Sequence, residues 1–219
     1  ALKEVCHKYG VSINEYLVAV YVWSVYTECM HGMPSERPVR VAVPVNLRPY
    51  FNSITTKNFF VMVSAEFHPT KEIYTFEEVL KSVSESLRSQ ISRENLEKLF
   101  SYNVSNEKLL AARIVPLFLK NLAMRYVYTT SALANTATVT NIGNISVSEE
   151  YRPYVEMFHA FLAMSKGQHL KGTICSYGDT LVFSFSYDLT DTSVQRGFFR
   201  KIAADGIAVE IETNGVNYE

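Results

Sequence analysis

At 219 residues, 47% hydrophobic and 13% aromatic, the chain carries ample apolar surface for a folded core, which excludes a disordered or low-complexity protein. Lys+Arg 21 against Asp+Glu 22 leaves a formal charge of -1 with no basic cluster, and this excludes the electrostatic footprint of a nucleic-acid binder. The most apolar run, Leu17 to Tyr26, is shorter than the roughly 20 residues that cross a bilayer, so no membrane span is expected.

Taken in order, residues 2 to 9 read as the end of a helix closed by Gly10 at the C′ position. The chain starts at Ala1 rather than Met and enters that helix at once, which leads us to expect sequence upstream. Ser12 and Glu15 have capping-box spacing, in which each side chain serves the other residue's amide. The helix they open is apolar nearly all round, through Tyr16, Leu17, Val20, Trp23 and Tyr26 and the residues between, so it is expected to be buried on several sides. After a turn-rich HGMPSERP, the alternation of Val39, Val41, Val43 and Val45 predicts a strand from Val39 to Asn46, and Pro44 within it predicts an edge or a bulge. Asn58 to Phe67 is rich in aromatic and branched residues and reads as a second strand.

Phe76, Val79, Leu80, Val83, Leu87 and Ile91 keep 3/4 spacing behind a Thr75 cap and predict a long helix. A further helical stretch is expected over 106–128, kinked or split by Pro116. The remainder reads mostly as strand: Ala137 to Asn141, Val155 to Met164, Leu170 to Tyr187, and a last one with Ile207, Val209 and Ile211 on one side. Between the last two, Val194, Phe198 and Ile202 mark a helix. With no repeat and no linker, the expected fold is α+β, a single domain over 1–219 with helices packed on one mixed β-sheet.

The segment from Leu170 to Asp191 specifies itself most fully. Gly178-Asp179 is a plausible two-residue hairpin turn. It sets Leu170, Gly172, Ile174 and Ser176 opposite Tyr187, Phe185, Phe183 and Leu181, an oily face. The other face carries Lys171, Thr173, Cys175 and Tyr177 against Ser186, Ser184, Val182 and Thr180, and is small and mostly polar.

Three odd, widely spaced cysteines, Cys6, Cys29 and Cys175, form no CxxC pair and suit a reducing, cytoplasmic location. No metal-ligand spacing, carboxylate pair, P-loop or GxGxxG is present, and no metal is expected. Cys175 and His169 lie six positions apart on one strand, beyond hydrogen-bond reach, so they do not read as a nucleophile and its base. His159, in an apolar strand pattern, reads as a packing histidine.

Four segments taken together, Pro44-Val-Asn-Leu-Arg-Pro-Tyr-Phe51, Asn58-Phe-Phe60, Thr140-Asn-Ile-Gly-Asn144 and the SYGDTLVFSFSYD hairpin, resemble in order the second half of the chloramphenicol-acetyltransferase-like superfamily. This superfamily includes condensation domains, wax-ester synthases and bacterial alcohol acetyltransferases, and the last branch is the most similar. The resemblance implies one half of a CoA-dependent acyltransferase fold, whose two halves enclose a channel entered by an acyl thioester from one side and an alcohol or amine acceptor from the other. It also implies a catalytic HHxxxDG histidine on the first half. Here the five histidines are followed four positions on by Val11, Ser35, Glu72, Ala163 and Thr173, so no HxxxD exists and no catalytic residue is assigned.

By the same resemblance Asn141 and Gly143 lie near the channel, where Asn141 either bonds a ligand or holds its own loop; an ordinary Asn-Gly turn is the plain alternative. Thr173, Tyr177, Ser184 and Ser186 line either the channel or a solvated sheet face. Asn46 and Arg48 suit either the donor's phosphates or a structural role, with Arg48 in an ion pair that fixes the two halves. The expected function is the C-terminal domain of an alcohol-acetyltransferase-like O-acyltransferase, inactive alone, with no permanently bound cofactor, acyl-CoA as co-substrate, an N-terminal half as partner and a possible homodimer. The alternative is a non-catalytic interaction module of the same fold.

Overall fold

The computed structural model describes residues 1–108, 115–165 and 167–214; the side chains of 103–108, 131 and 132 are not described. In chain order the elements are α1 (Leu2–Tyr9), α2 (Ile13–Ser24) running into a π-helical turn (Val25–Cys29), β1 (Val39–Asn46), α3 (Arg48–Phe51), β2 (Phe60–Phe67), α4 (Phe76–Gln90), α5 (Arg93–Lys108), α6 (Leu117–Leu133), β3 (Ala137–Asn144), β4 (Leu170–Tyr177), β5 (Thr180–Tyr187) and α7 (Ser193–Ala204). The strands form one mixed sheet in the order β2-β1-β3-β4-β5. The outer pairs β1/β2 and β4/β5 are antiparallel, whereas β3 runs parallel to both β1 and β4.

One face of the sheet makes the core. Val39, Val41 and Val43 of β1, Val61, Val63, Ala65 and Phe67 of β2, Val139 of β3 and Ile174 of β4 are buried beneath α2, α4 and α7. The α2 helix sits centrally and is enclosed almost everywhere, which is where its all-round apolar sequence finds its partners. Its start is fixed by the reciprocal Ser12–Glu15 box, and α4 begins with the same device at Thr75 and Glu78. Gly10 ends α1 in the left-handed region at φ 68, so the sharp reversal into α2 needs no β-carbon there.

Two further closures matter for the site. The outer edge of β2 is sealed by α4, since the Ser86 hydroxyl accepts from the Glu66 amide and donates to the Ser64 carbonyl, both at 3.1 Å. The Gln90 side chain accepts from the Ser64 amide at 3.1 Å and donates to its carbonyl at 2.8 Å. The hairpin pairs Leu170 with Tyr187 through Tyr177 with Thr180 around Gly178 at φ 56, the register expected from its alternation.

Three expectations are corrected. Residues 155–164 are extended but join no ladder among the described residues, because β4 already has β3 and β5 on its two edges and the segment lies over its face instead. Residues 207–211 are likewise not a strand, and Val209 and Ile211, expected on its packed side, are exposed. Helix begins at Arg93, well before residue 106, as α5; the split at Pro116 stands, while 109–114 lie outside the described residues. Pro44 sits in an inner strand, yet β1 pairs with β3 only at Val41 and Ala42, so at Pro44 the strand has β2 alone beside it.

Candidate functional site

The second face of the sheet, opposite the helices, is built by the even positions of β1, β2 and β5 and the odd positions of β4. Read across the register from β2 to β5, one row is Ser64, Ala42, Thr138, Lys171 and Ser186. Toward one end lie charges in pairs: Arg40 with Glu66 at 2.9 Å, and His169 with Asp188 at 3.0 Å. Toward the other lie Thr173 and Ser184, then Cys175 and Val182. The result is a floor of small hydroxyl-bearing side chains, with paired charges confined to one margin.

Part of this floor is covered. The extended segment 155–165 runs antiparallel along the face of β4, held at two points: the Cys175 thiol donates to the Phe158 carbonyl at 3.1 Å, and the Lys171 ammonium donates to the Ala163 carbonyl at 2.8 Å and the Ser165 hydroxyl at 2.7 Å. Phe158 also meets Tyr177 edge-on, with ring centroids 5.4 Å apart. Thr173 and Ser184 are consequently buried, at 3% and 7% exposure, while Tyr177 and Ser186 remain part-exposed. Lys171 is itself only 8% exposed, and no carboxylate pairs with it among the described residues. Its neutral partners supply two of the three acceptors an ammonium can use.

Beyond Ala42 and Thr138 the parallel strands β1 and β3 part, though each runs on, to Asn46 and Asn144. The chain leaves β1 toward β2 on one side and β3 toward β4 on the other, so the carboxyl ends of the two strands form a topological switch point, where open sheets commonly leave a crevice. This switch point gathers residues distant in sequence. Asn46 and Arg48 stand on one bank, with Asn141, Gly143, Asn144 and Ser176 on the other.

The banks are held locally. Arg48 donates from Nε to the Thr55 carbonyl at 2.9 Å, from Nη2 to the Lys57 carbonyl at 2.6 Å and from Nη1 to Asn46 Oδ1 at 3.2 Å, so its fork ties down the 52–58 loop. Asn141 Oδ1 accepts from the Gly143 amide at 2.8 Å, and Gly143 sits at φ 86 in a bulge that shifts the β3/β4 register. The pairing is in a strand bulge rather than a free turn.

Cys175 is not poised for covalent chemistry: it is 1% exposed, and burial pushes its thiol above the ordinary value. His169 bonds Asp188, and His159 lies 3.7 Å from Glu212 and stacks on Phe161. No group of three metal-ligating side chains exists among the described residues. No helix among them is long and apolar enough to cross a membrane. The residue that sequence reasoning passed over is Lys171, whose signal was a cation alternating onto a polar strand face between Leu170 and Gly172.

No protein-family model and no curated protein matches the sequence. Solved structures do. A wax ester synthase/diacylglycerol acyltransferase from Marinobacter aquaeolei VT8 matches over 94% of this chain and 46% of that one, at 14% identity and a TM-score of 0.51. The nonribosomal peptide synthetase FmoA3 matches over 94% of this chain and 20% of its own, at 17% identity and a TM-score of 0.58. The chain shares its fold with these acyltransferase and peptide-synthetase structures. The likeness is one of fold, and the chain spans less than half the length of each of these proteins.

Proposed function

We propose that this chain is the C-terminal half of a two-half O-acyltransferase, closest in kind to alcohol acetyltransferases, that moves an acyl group from CoA to an alcohol. The observation that carries this reading is the parting of β1 from β3, which no longer pair with each other where they run on to Asn46 and Asn144, within an acyltransferase fold. The backbone amides and carbonyls there, together with Asn46 and the hydroxyls of the second face, give this half a wall able to hold an extended thioester arm. On this reading the general base that takes the acceptor's proton belongs to the other half, as no histidine here is followed by an aspartate at HxxxD spacing. The extended, ladder-free segment 155–164, with Phe161 67% exposed, supports a partner half lying over the second face.

The test follows thiol release from acetyl-CoA in the presence of a primary alcohol. The chain alone is expected to release none, and the chain joined to the polypeptide encoded upstream of it to turn over. Turnover by the chain alone, or an upstream frame without an HHxxxDG half, overturns the reading. A second reading, an interaction module of the same fold, draws on α6, where Leu117, Phe118, Leu122, Met124 and Tyr126 are all exposed. An unrelated upstream domain would favour it.

A further inference from the structure

The two edges of the sheet are treated differently. At β2 the outward backbone groups of Ser64 and Glu66 are all taken by Ser82, Ser86 and Gln90 of α4. At β5 no strand lies beyond, and the residues Thr180–Tyr187 include no charge, no proline and no bulge, the devices that commonly keep an edge from pairing.

The turn fixes which groups point outward. In a two-residue hairpin the residues flanking the turn exchange hydrogen bonds, so Thr180, Val182, Ser184 and Ser186 direct their amides and carbonyls to β4. Leu181, Phe183, Phe185 and Tyr187 direct theirs to the open edge. Beside this edge Phe199 of α7 packs edge-on against Phe185 with centroids 5.8 Å apart.

We propose that the β5 edge pairs antiparallel with the β5 edge of a second copy of this chain, about a two-fold axis through Ser184. Opposed residues in an antiparallel pair must share a face, and only outward-pointing residues can exchange hydrogen bonds across the seam. Both conditions hold when Leu181 faces Tyr187 of the second copy and Phe183 faces its Phe185, with Ser184 opposite itself. This register uses every outward group. It also continues the apolar face on one side and the hydroxyl face on the other, so the same strand is its own complement.

Ser184 is thereby placed in a non-hydrogen-bonded pair, where α-carbons approach to about 4.5 Å, within the span of about 4.4–6.8 Å that a disulfide bridges. The test uses the whole chain with exposed Cys29 replaced by Ser. Sedimentation velocity across a concentration series is expected to show a monomer–dimer equilibrium. Mild oxidation is expected to cross-link Ser184→Cys readily and Ser186→Cys poorly, since that residue faces Val182 of the second copy. Leu181→Pro, which removes one outward amide and leaves the β4 ladder intact, is expected to weaken the dimer at least tenfold with circular dichroism unchanged. A monomer at every concentration overturns the proposal. So does a dimer that links as readily through Ser186→Cys, or one in which Ser184→Cys stays reduced, since either places the contact elsewhere.

Discussion

The Tyr16 hydroxyl donates to Asp205 Oδ2 at 2.6 Å, joining the buried start of α2 to the residue that ends α7, 189 positions away. Lys201 completes the junction with two contacts of 2.6 Å to the same carboxylate, and its ammonium lies 3.9 Å from the Phe76 ring centroid. Burial, followed by the Asp205 carboxylate, pushes the Tyr16 hydroxyl far above its ordinary value, so it remains a donor at every ordinary pH. Tyr16→Phe removes a bond to a charged acceptor and is expected to cost about 1.5–3 kcal/mol in urea unfolding at unchanged slope. A loss below a few tenths would show that Lys201 alone satisfies Asp205.

Glu15 joins α2 to α4 through Arg88 Nε at 2.5 Å while also completing its helix cap at the Ser12 amide. Burial by itself would raise its carboxyl, but the Arg88 and Ser12 bonds outweigh that and hold it below the usual value. A carboxyl lowered on folding contributes stability that is whole above its unfolded value, about 4.3, and is lost as pH falls through the folded one. The fall in stability with acid is therefore expected to be shallower in Glu15→Gln than in the wild type below that value. Parallel curves would remove Glu15 from the acid response.

Gly172 lies in β4 where a β-carbon would come within 2.6 Å of the Phe183 ring and 3.2 Å of Val139. Phe183 is itself fixed against Phe198 with centroids 4.3 Å apart, so it has little room to withdraw. Gly172→Ala is expected to destabilise by about 1–3 kcal/mol through overpacking, read as a lowered Tm. Pairing it with Phe183→Leu, which opens space, is expected to recover part of the loss; strict additivity would show that the two do not meet.

Sequence carried the local rules well and the sheet-wide ones less well. The hairpin register, the Ser12–Glu15 capping box, the Thr75 cap and the Gly10 reversal each follow from residues within a few positions of one another, where spacing alone decides. Residues 155–164 alternate like a strand, but whether a strand finds a ladder depends on free edges elsewhere, and β4 had none to offer. The parting of β1 from β3 is likewise set by where distant segments leave the sheet, so Asn46 and Asn141 were legible as separate candidates but not as two banks of one switch point. Lys171 was legible as a polar-face residue. Its carbonyl and hydroxyl partners were not, because they come from a segment whose path sequence had misjudged.

That lysine supports the last prediction. Lys171→Met keeps the length and apolar stem of the side chain and removes the ammonium that holds Ala163 and Ser165. Two effects oppose each other. Relieving a buried charge that has no carboxylate partner favours the variant, whereas loss of two charge-assisted bonds at about 1.5–3 kcal/mol each disfavours it. The first acts on the folding of the whole chain and the second on the closure of 155–165 over β4, so they separate in different measurements. Global stability is expected to change by less than about 1 kcal/mol, while amide exchange across 158–164 accelerates at least tenfold, equivalent to about 1.4 kcal/mol of local closure. Lys171→Arg, which retains a cation of similar reach, is expected to restore part of the protection. Exchange that stays at the wild-type rate in Lys171→Met would mean that Cys175 and the Phe158–Tyr177 ring contact hold the segment without the lysine.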